Sequence, residues 1–425
     1  MANYSSLSRE ELQREYDALK MAYDSFAAQG LKLDMSRGKP GAEQIELSAP
    51  LLDALRAADD ARSENGMDVR NYGLFDGLPE MRRLFGEIMG VDADRVILGN
   101  NSSLNLMFDA VCQGMVSGFG QAPWGQQGEI KFLCPVPGYD RHFAICEYFG
   151  ITMIPVPMTQ QGPAMEVVEK WVQDPLVKGI WCVPMYSNPQ GYTYSDETVR
   201  RFAALKPAAK DFRIFWDNSY CLHHLKKDHA RLANIFELCK QYDNEHLVFE
   251  FTSTSKISFP GAGIAAMAVG SYNYDLIKKR VMIQTIGPDK VNQLRHMRYF
   301  KDLDGINAHM EKMAEILRPR FDAVLQLLQH DLADTGTATW SDPQGGYFIS
   351  VDVTEGCAKR VVELCKQAGV TLTGAGATFP YGNDPEDRNI RLAPTFPAIA
   401  ELKQAMALFT VAVRLAALEK RLAQD

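Results

Sequence analysis

Between residues 95 and 251 short apolar runs recur, each followed by a polar or Gly/Pro-containing stretch and then by residues at helical spacing. The runs are Arg95-Val-Ile-Leu98, Ile130-Lys-Phe-Leu-Cys134, Thr152-Met-Ile-Pro-Val156, Gly179-Ile-Trp-Cys-Val183, Arg213-Ile-Phe-Trp216 and Leu247-Val-Phe-Glu-Phe251. Each has strand length, and largely continuous apolar character marks strands covered on both faces. Strands alternating with helices predict an α/β fold with a mainly parallel sheet flanked by helices. Outside this block the period changes. Ser8 and Glu11 have capping-box spacing and predict a helix over residues 9–29. A long helical stretch from Met310 to Gln329 precedes Gly345-Gly-Tyr-Phe-Ile-Ser-Val-Asp352. A helix near 355–368, a strand at Asn389-Ile-Arg-Leu392 and a closing helix from about 397 follow.

A chain of 425 residues exceeds the size at which one core usually divides. The expected division is a large domain over 49–310 and a smaller α/β domain over 311–425, joined by the N-terminal segment 1–48.

Composition narrows the function classes. Apolar residues make up 46% and charged residues 23%, ordinary for a globular protein. A net charge of -8 without a basic stripe argues against a nucleic-acid partner. No apolar stretch is long enough to span a bilayer, and the first residues lack the apolar core of a signal peptide. A cytoplasmic location is expected. The eight cysteines show neither C-x-x-C nor zinc spacing, so free buried thiols and no metal site are expected.

The chemistry collects where strands end, the position at which open α/β sheets bind ligands. Lys256 follows the run ending at Phe251, in Thr252-Ser-Thr-Ser-Lys-Ile-Ser-Phe-Pro-Gly261. A lysine among small hydroxyl residues suits an amine that forms an imine while Ser253 and Ser255 hold a phosphate. After Leu98, Ser102 and Ser103 fall in the first turn of a helix, where free N–H groups attract an anion; a plain serine cap is the simpler alternative. Tyr139, in Cys134-Pro-Val-Pro-Gly-Tyr139, can stack on a planar heteroaromatic ring. Asn188, in Tyr186-Ser-Asn-Pro-Gln-Gly191, can donate to a phenolate-type oxygen. Asp217, in Ile214-Phe-Trp-Asp-Asn-Ser-Tyr220, can pair with a protonated ring nitrogen, and Tyr220 can reach the ring's phenolic oxygen. Arg391, flanked by apolar residues on its strand, offers a planar fork for a carboxylate, or else a structural ion pair.

Taken in order over roughly residues 30–395, these segments resemble the pyridoxal-phosphate-dependent aminotransferases of fold type I, class I. The series is Gly38-Lys-Pro40, Tyr72 with Gly77, Ser102-Ser103, Pro137-Gly-Tyr139, Asn188-Pro-Gln-Gly191, Asp217-Asn-Ser-Tyr220, Ser253-Thr-Ser-Lys256, Gly345-Gly-Tyr-Phe348 and Arg391. Ser36-Arg-Gly-Lys-Pro40, Ser255-Lys-Ile-Ser-Phe-Pro-Gly-Ala-Gly263 and Arg391-Leu-Ala-Pro-Thr395 are similar to bacterial aspartate aminotransferases of subgroup Ic. The resemblance implies a Schiff base and a proton shuttle at Lys256, with Asp217 on the pyridine nitrogen. It implies Asn188 and Tyr220 at the phenolic oxygen and Tyr139 on the ring face. Ser102, Ser103, Ser253 and Ser255 would hold the phosphate, with Tyr72 from a partner subunit of a homodimer. Arg391 would take the substrate α-carboxylate, with Gly38 and Asn188 lining that end. The implied reaction is L-aspartate plus 2-oxoglutarate to oxaloacetate plus L-glutamate.

One position departs from the family. Its usual arginine shortly after the lysine is missing from Pro260-Gly-Ala-Gly-Ile-Ala265, so Arg295 or Lys290, from this chain or its partner, is expected to supply the charge. Arg37, Lys39 and Arg141 are the candidates for reading a distal carboxylate. Alternatives with the same residues are an alanine or aromatic aminotransferase or a carbon–sulfur lyase. A non-catalytic ligand sensor is the alternative of another class.

Overall fold

The computed structural model describes residues 3–424; Met1, Ala2 and Asp425, which the expected terminal segments include, lie outside the described residues. In chain order the strands are β1 (Leu33–Asp34), β2 (Val96–Leu98), β3 (Lys131–Val136), β4 (Thr152–Thr159), β5 (Gly162–Pro163), β6 (Val177–Cys182) and β7 (Arg213–Asp217). They continue with β8 (Val248–Ser253), β9 (Ala265–Val269), β10 (Ala338–Trp340), β11 (Ile349–Val353), β12 (Val370–Thr371) and β13 (Asn389–Leu392).

Eight of these strands form one sheet in the order β2-β9-β8-β7-β6-β3-β4-β5. The β8–β7, β7–β6, β6–β3 and β3–β4 pairs are parallel, whereas β9 runs antiparallel to both β8 and β2. Consequently β2, β3, β6, β7 and β8 all point their carboxyl ends to the same edge. Every residue of β6, β7, β8 and β9 is buried, as the continuous apolar runs require. The ionisable side chains on these strands have partners: Lys178 on β6 sits 2.8 Å from Asp211, Arg213 on β7 donates to Asn273 at 3.0 Å, Glu250 on β8 accepts from Asn218 at 2.8 Å, and Asp217 at the end of β7 meets His142 at 3.0 Å.

Two departures from the sequence expectations have physical causes. The run expected to end at Cys134 continues to Val136, because Pro135 needs no donor of its own opposite Val156 of β4. Strand β9 carries no strong strand signal in its alanine-rich sequence; it forms because its backbone groups pair with β2 on one side and β8 on the other.

The capping box at Ser8 and Glu11 is present, and its helix spans Arg9–Ala28. Leu12, Leu19 and Tyr23 of that helix share one core with Leu402, Phe409 and Val413 of the closing helix Ile399–Gln424. β1 pairs in parallel with β12, tying the N-terminal segment to the C-terminal part of the chain. The helix expected over 310–329 spans Leu303–Leu332 without a break. Its first turns bury Ile306, Met310 and Met313 in the core under the large sheet, and Leu317 to Leu332 face the other core. Among the described residues no helix is long and apolar enough to cross a membrane. All eight cysteines are free thiols, and Cys134, Cys146, Cys182, Cys239, Cys357 and Cys365 are buried.

Candidate active site

The shared carboxyl edge opens into a cavity of about 610 Å³. Ser102, Ser103, Tyr139, Asn188, Asp217, Tyr220, Ser253, Ser255 and Lys256 line it from the large sheet, while Gly38 and Arg391 line it from the opposite wall. These sequence-selected residues, spread from Gly38 to Arg391 along the chain, therefore meet in one place. Tyr72 does not: it is 78% exposed and stands away from the cavity of its own chain.

Lys256 sits in the connection between β8 and the returning strand β9. The carbonyl of Thr254 accepts from the Ile257 amide at 2.9 Å, and the Thr254 hydroxyl accepts from the Ile264 amide at 2.9 Å. This turn brings the ammonium group to 4.8 Å from the Tyr220 ring centroid, a cation–π contact inside the cavity.

Asp217 ends β7 with its carboxylate buried. His142 Nε2 lies 3.0 Å from Oδ2, and the Ser219 hydroxyl donates to Oδ1. Burial alone would raise this carboxyl; the hydrogen bond and charge of His142, with Ser219 and Lys256, outweigh it and hold Asp217 below the ordinary carboxylate range. Asp217 is thus an anion in the interior. Burial, followed by the charge on Asp217, pushes the Tyr220 hydroxyl well up, so it is a donor at neutral pH. Burial likewise pushes Tyr139 up to about 12.

On the opposite wall Arg391 is buried on β13, its guanidinium 4.9 Å from the Phe348 ring centroid. Nη1 donates to Asp140 at 2.9 Å and to Asn188 Oδ1 at 3.2 Å, while Nε is buried without a partner. A buried donor without a partner is rare, and an anion accepted beside it would satisfy it. Because Asn188 accepts through its oxygen, its amide hydrogens remain for a second acceptor.

The serines expected at the anion end lie together on the cavity wall. Ser102 caps the helix Ser103–Val116, accepting from the Leu104 amide at 3.2 Å. Ser253 donates to Ser255 at 3.1 Å, and Ser255 to the carbonyl of Asn101 at 2.8 Å. The expectation for Arg295 and Lys290 is not met within one chain. Neither lines the cavity; Arg295 donates to the Leu51 carbonyl, and Lys290 is buried in the first turn of the helix Lys290–Phe300. Arg37, Lys39 and Arg141 all line the cavity, Lys39 with its ammonium 3.9 Å over the Phe396 ring.

Sequence reading passed over His142, Ser219 and Asp140. Spacing could have flagged His142, three residues after Tyr139 and so on the same face of the helix Asp140–Tyr148. Its contact with Asp217, 75 residues away, has no local signal.

A family model described as "Aspartate amino-transferase" matches residues 7–425. The chain is 43% identical over 430 residues to an aspartate aminotransferase of Corynebacterium glutamicum, covering 99% of each. A crystal structure of an aspartate transaminase from that species superposes with a TM-score of 0.95 at 43% identity, covering 97% of this chain and 98% of the other. The α-aminoadipate aminotransferase LysN of Thermus thermophilus, at 16% identity and a TM-score of 0.74 over 94% and 95% of the two chains, shares the fold.

Proposed function

The chain belongs to the aspartate aminotransferase family and is an aminotransferase of fold type I; from that premise we propose that it uses pyridoxal phosphate to exchange the amino group of L-aspartate with 2-oxoglutarate. The observation that carries this reading is the pairing of an anionic buried Asp217 with Lys256 on one wall and a carboxylate-ready Arg391 on the other.

The residues present fit the cofactor. Asp217 is the counter-charge for a protonated ring nitrogen, Tyr139 offers a ring face, and Asn188 and Tyr220 offer donors to a phenolic oxygen. Ser102, Ser103, Ser253 and Ser255, with the N-terminus of a 14-residue helix, would hold the phosphate. When bound, the cofactor supplies an aldehyde for an amine to condense with and a ring that withdraws electrons from the substrate Cα.

The chain's own groups then have defined tasks. Arg391 binds the α-carboxylate and, with Asn188 and Gly38, orients the substrate so that its Cα–H faces Lys256. Lys256 would take the proton from that carbon and hold it on Nζ for return to the opposite end of the transfer. Phe348 lines this wall with a buried apolar ring. Arg37, Lys39 and Arg141 are the cations available to a distal carboxylate.

We assign the protein to homodimers. Tyr72, Met282, Ile283 and Ile286 are all exposed, Ile283 by 89%, and their two segments run close together, since a Cβ added at Gly287 would lie 2.6 Å from the Gly73 carbonyl oxygen; this apolar surface suits a second copy that brings Tyr72 to its neighbour's phosphate end. A cytoplasmic location accords with the free thiols. Absorbance spectra of the purified protein, with and without L-aspartate, test the function. A visible cofactor band should give way to a shorter-wavelength one on adding aspartate; no change with aspartate, but a change with alanine or an aromatic amino acid, would reassign the donor.

A further inference from the structure

Behind His142 lies a ring that none of the motifs includes. Trp181, on β6, is stacked face to face on the imidazole, with centroids 4.4 Å apart and planes 9° apart. The Tyr139 ring meets the same imidazole edge-on, at 4.9 Å and 77°. The indole N–H donates to Cys146 Sγ at 3.2 Å. His142 and Cys146 are one turn apart on the helix Asp140–Tyr148, so that helix offers the indole both a ring to stack on and an acceptor for its N–H. All three side chains are buried: Trp181 and His142 are each 2% exposed and Cys146 is fully enclosed.

A hydrogen bond weakens steeply as its angle departs from linear. His142 reaches Asp217 through one ring nitrogen, and that single bond leaves the imidazole free to tilt about it. A parallel indole face removes the tilt, and the thiol acceptor prevents the indole from turning, since turning would leave a buried N–H unpaired. We propose that Trp181, locked by Cys146, is a positioning residue for Asp217: it fixes the plane of His142 so that Nε2 stays on the Asp217 carboxylate. This inference rests on the cofactor reading above, and it assigns Trp181 and Cys146 a part in cofactor retention.

The test uses the full-length protein. Pyridoxal-phosphate dissociation is measured by equilibrium dialysis, and the His142 ring by NMR of histidine-labelled apoprotein. Trp181→Leu should weaken cofactor binding roughly tenfold or more, the scale on which outer hydrogen-bond partners act on a bound group, and should shift or broaden the His142 Nε2–H signal. Trp181→Phe, which keeps a stacking ring, and Cys146→Ala should each weaken binding several-fold, whereas Cys146→Ser, which retains an acceptor, should stay near wild type. Phe132→Leu is the control: its ring packs on Trp181 with centroids 5.8 Å apart, outside the His142–Asp217 hydrogen bond, so it should lower thermal stability without changing affinity.

Wild-type affinity in Trp181→Leu, or an equal loss in Phe132→Leu, would overturn the proposal. Should Trp181→Leu fail to fold, unchanged affinity in both Trp181→Phe and Cys146→Ala does the same. A wild-type protein that binds no pyridoxal phosphate refutes the cofactor reading instead, and the His142 signal in Trp181→Leu then decides the clamp by itself.

Discussion

Asp140 accepts from Arg391 Nη1 at 2.9 Å, the same nitrogen that donates to Asn188. Asp140 is the more exposed partner, its side chain 37% accessible against 8% for Arg391. This carboxylate competes for a guanidinium that a substrate carboxylate needs. Asp140→Asn should therefore lower KM for both amino donor and 2-oxo acid by about two- to fivefold, the range of roughly 0.5–1 kcal/mol for a partly exposed pair. Steady-state kinetics with kcat nearly unchanged is the expected result; a raised KM would show that Asp140 holds Arg391 in its binding pose instead.

Lys256→Ala removes the only group assigned to move the substrate proton. Turnover should drop by at least about 10³, within the range of general acid–base contributions. Asp217, Tyr139 and the serines remain, so some cofactor should still copurify. Unchanged transamination by this variant would falsify the assignment of the lysine.

Gly38 packs so closely on the opposite wall that an added Cβ would lie 2.3 Å from Cζ of Phe348. Phe348 in turn carries the Arg391 guanidinium over its face. Gly38→Ala should push the ring and the arginine together out of place. We expect KM for both substrates to rise several-fold, with the thermal midpoint little altered, because the position is not in the left-handed region and the strain is local to the wall. Kinetics and calorimetry on one preparation check both halves.

Glu250 gives a pH-dependent stability. Burial pushes its carboxyl up to about 8, opposed only by the Asn218 hydrogen bond. Between its ordinary value near 4.5 and about 8 the unfolded chain is ionised there while the folded one keeps its proton. Its contribution is therefore fully present below about 4.5 and is lost as pH rises toward 8, by up to about 1.4 kcal/mol per pH unit. Glu250→Gln, which keeps the acceptor for Asn218 and cannot ionise, should gain in denaturation midpoint relative to wild type as pH goes from 5 to 8. A gain that is flat with pH would contradict this account.

Much of the arrangement is legible along the chain. The apolar runs locate β2, β3, β4, β6, β7 and β8, and the polar residues just past their ends are the ones that line the cavity. The logic is local: strand length, burial and the residue at a strand's end are all encoded within about ten positions. Other features were not local. β9 has a weak propensity of its own and exists only between two neighbours, yet it fixes where the chain turns back and so where Lys256 sits. Likewise, His142 and Trp181 come from a helix and a strand with no shared motif.

The sequence by itself thus determined which residue types stand at the ends of which strands, and with them the class of chemistry, because backbone period and side-chain type are written position by position. The tertiary structure alone decided the charge on Asp217, the pairing of Arg391 with Asp140 and the absence of Tyr72 from its own chain's cavity. Those depend on distances between segments far apart in the chain, and on how much water the fold leaves between them.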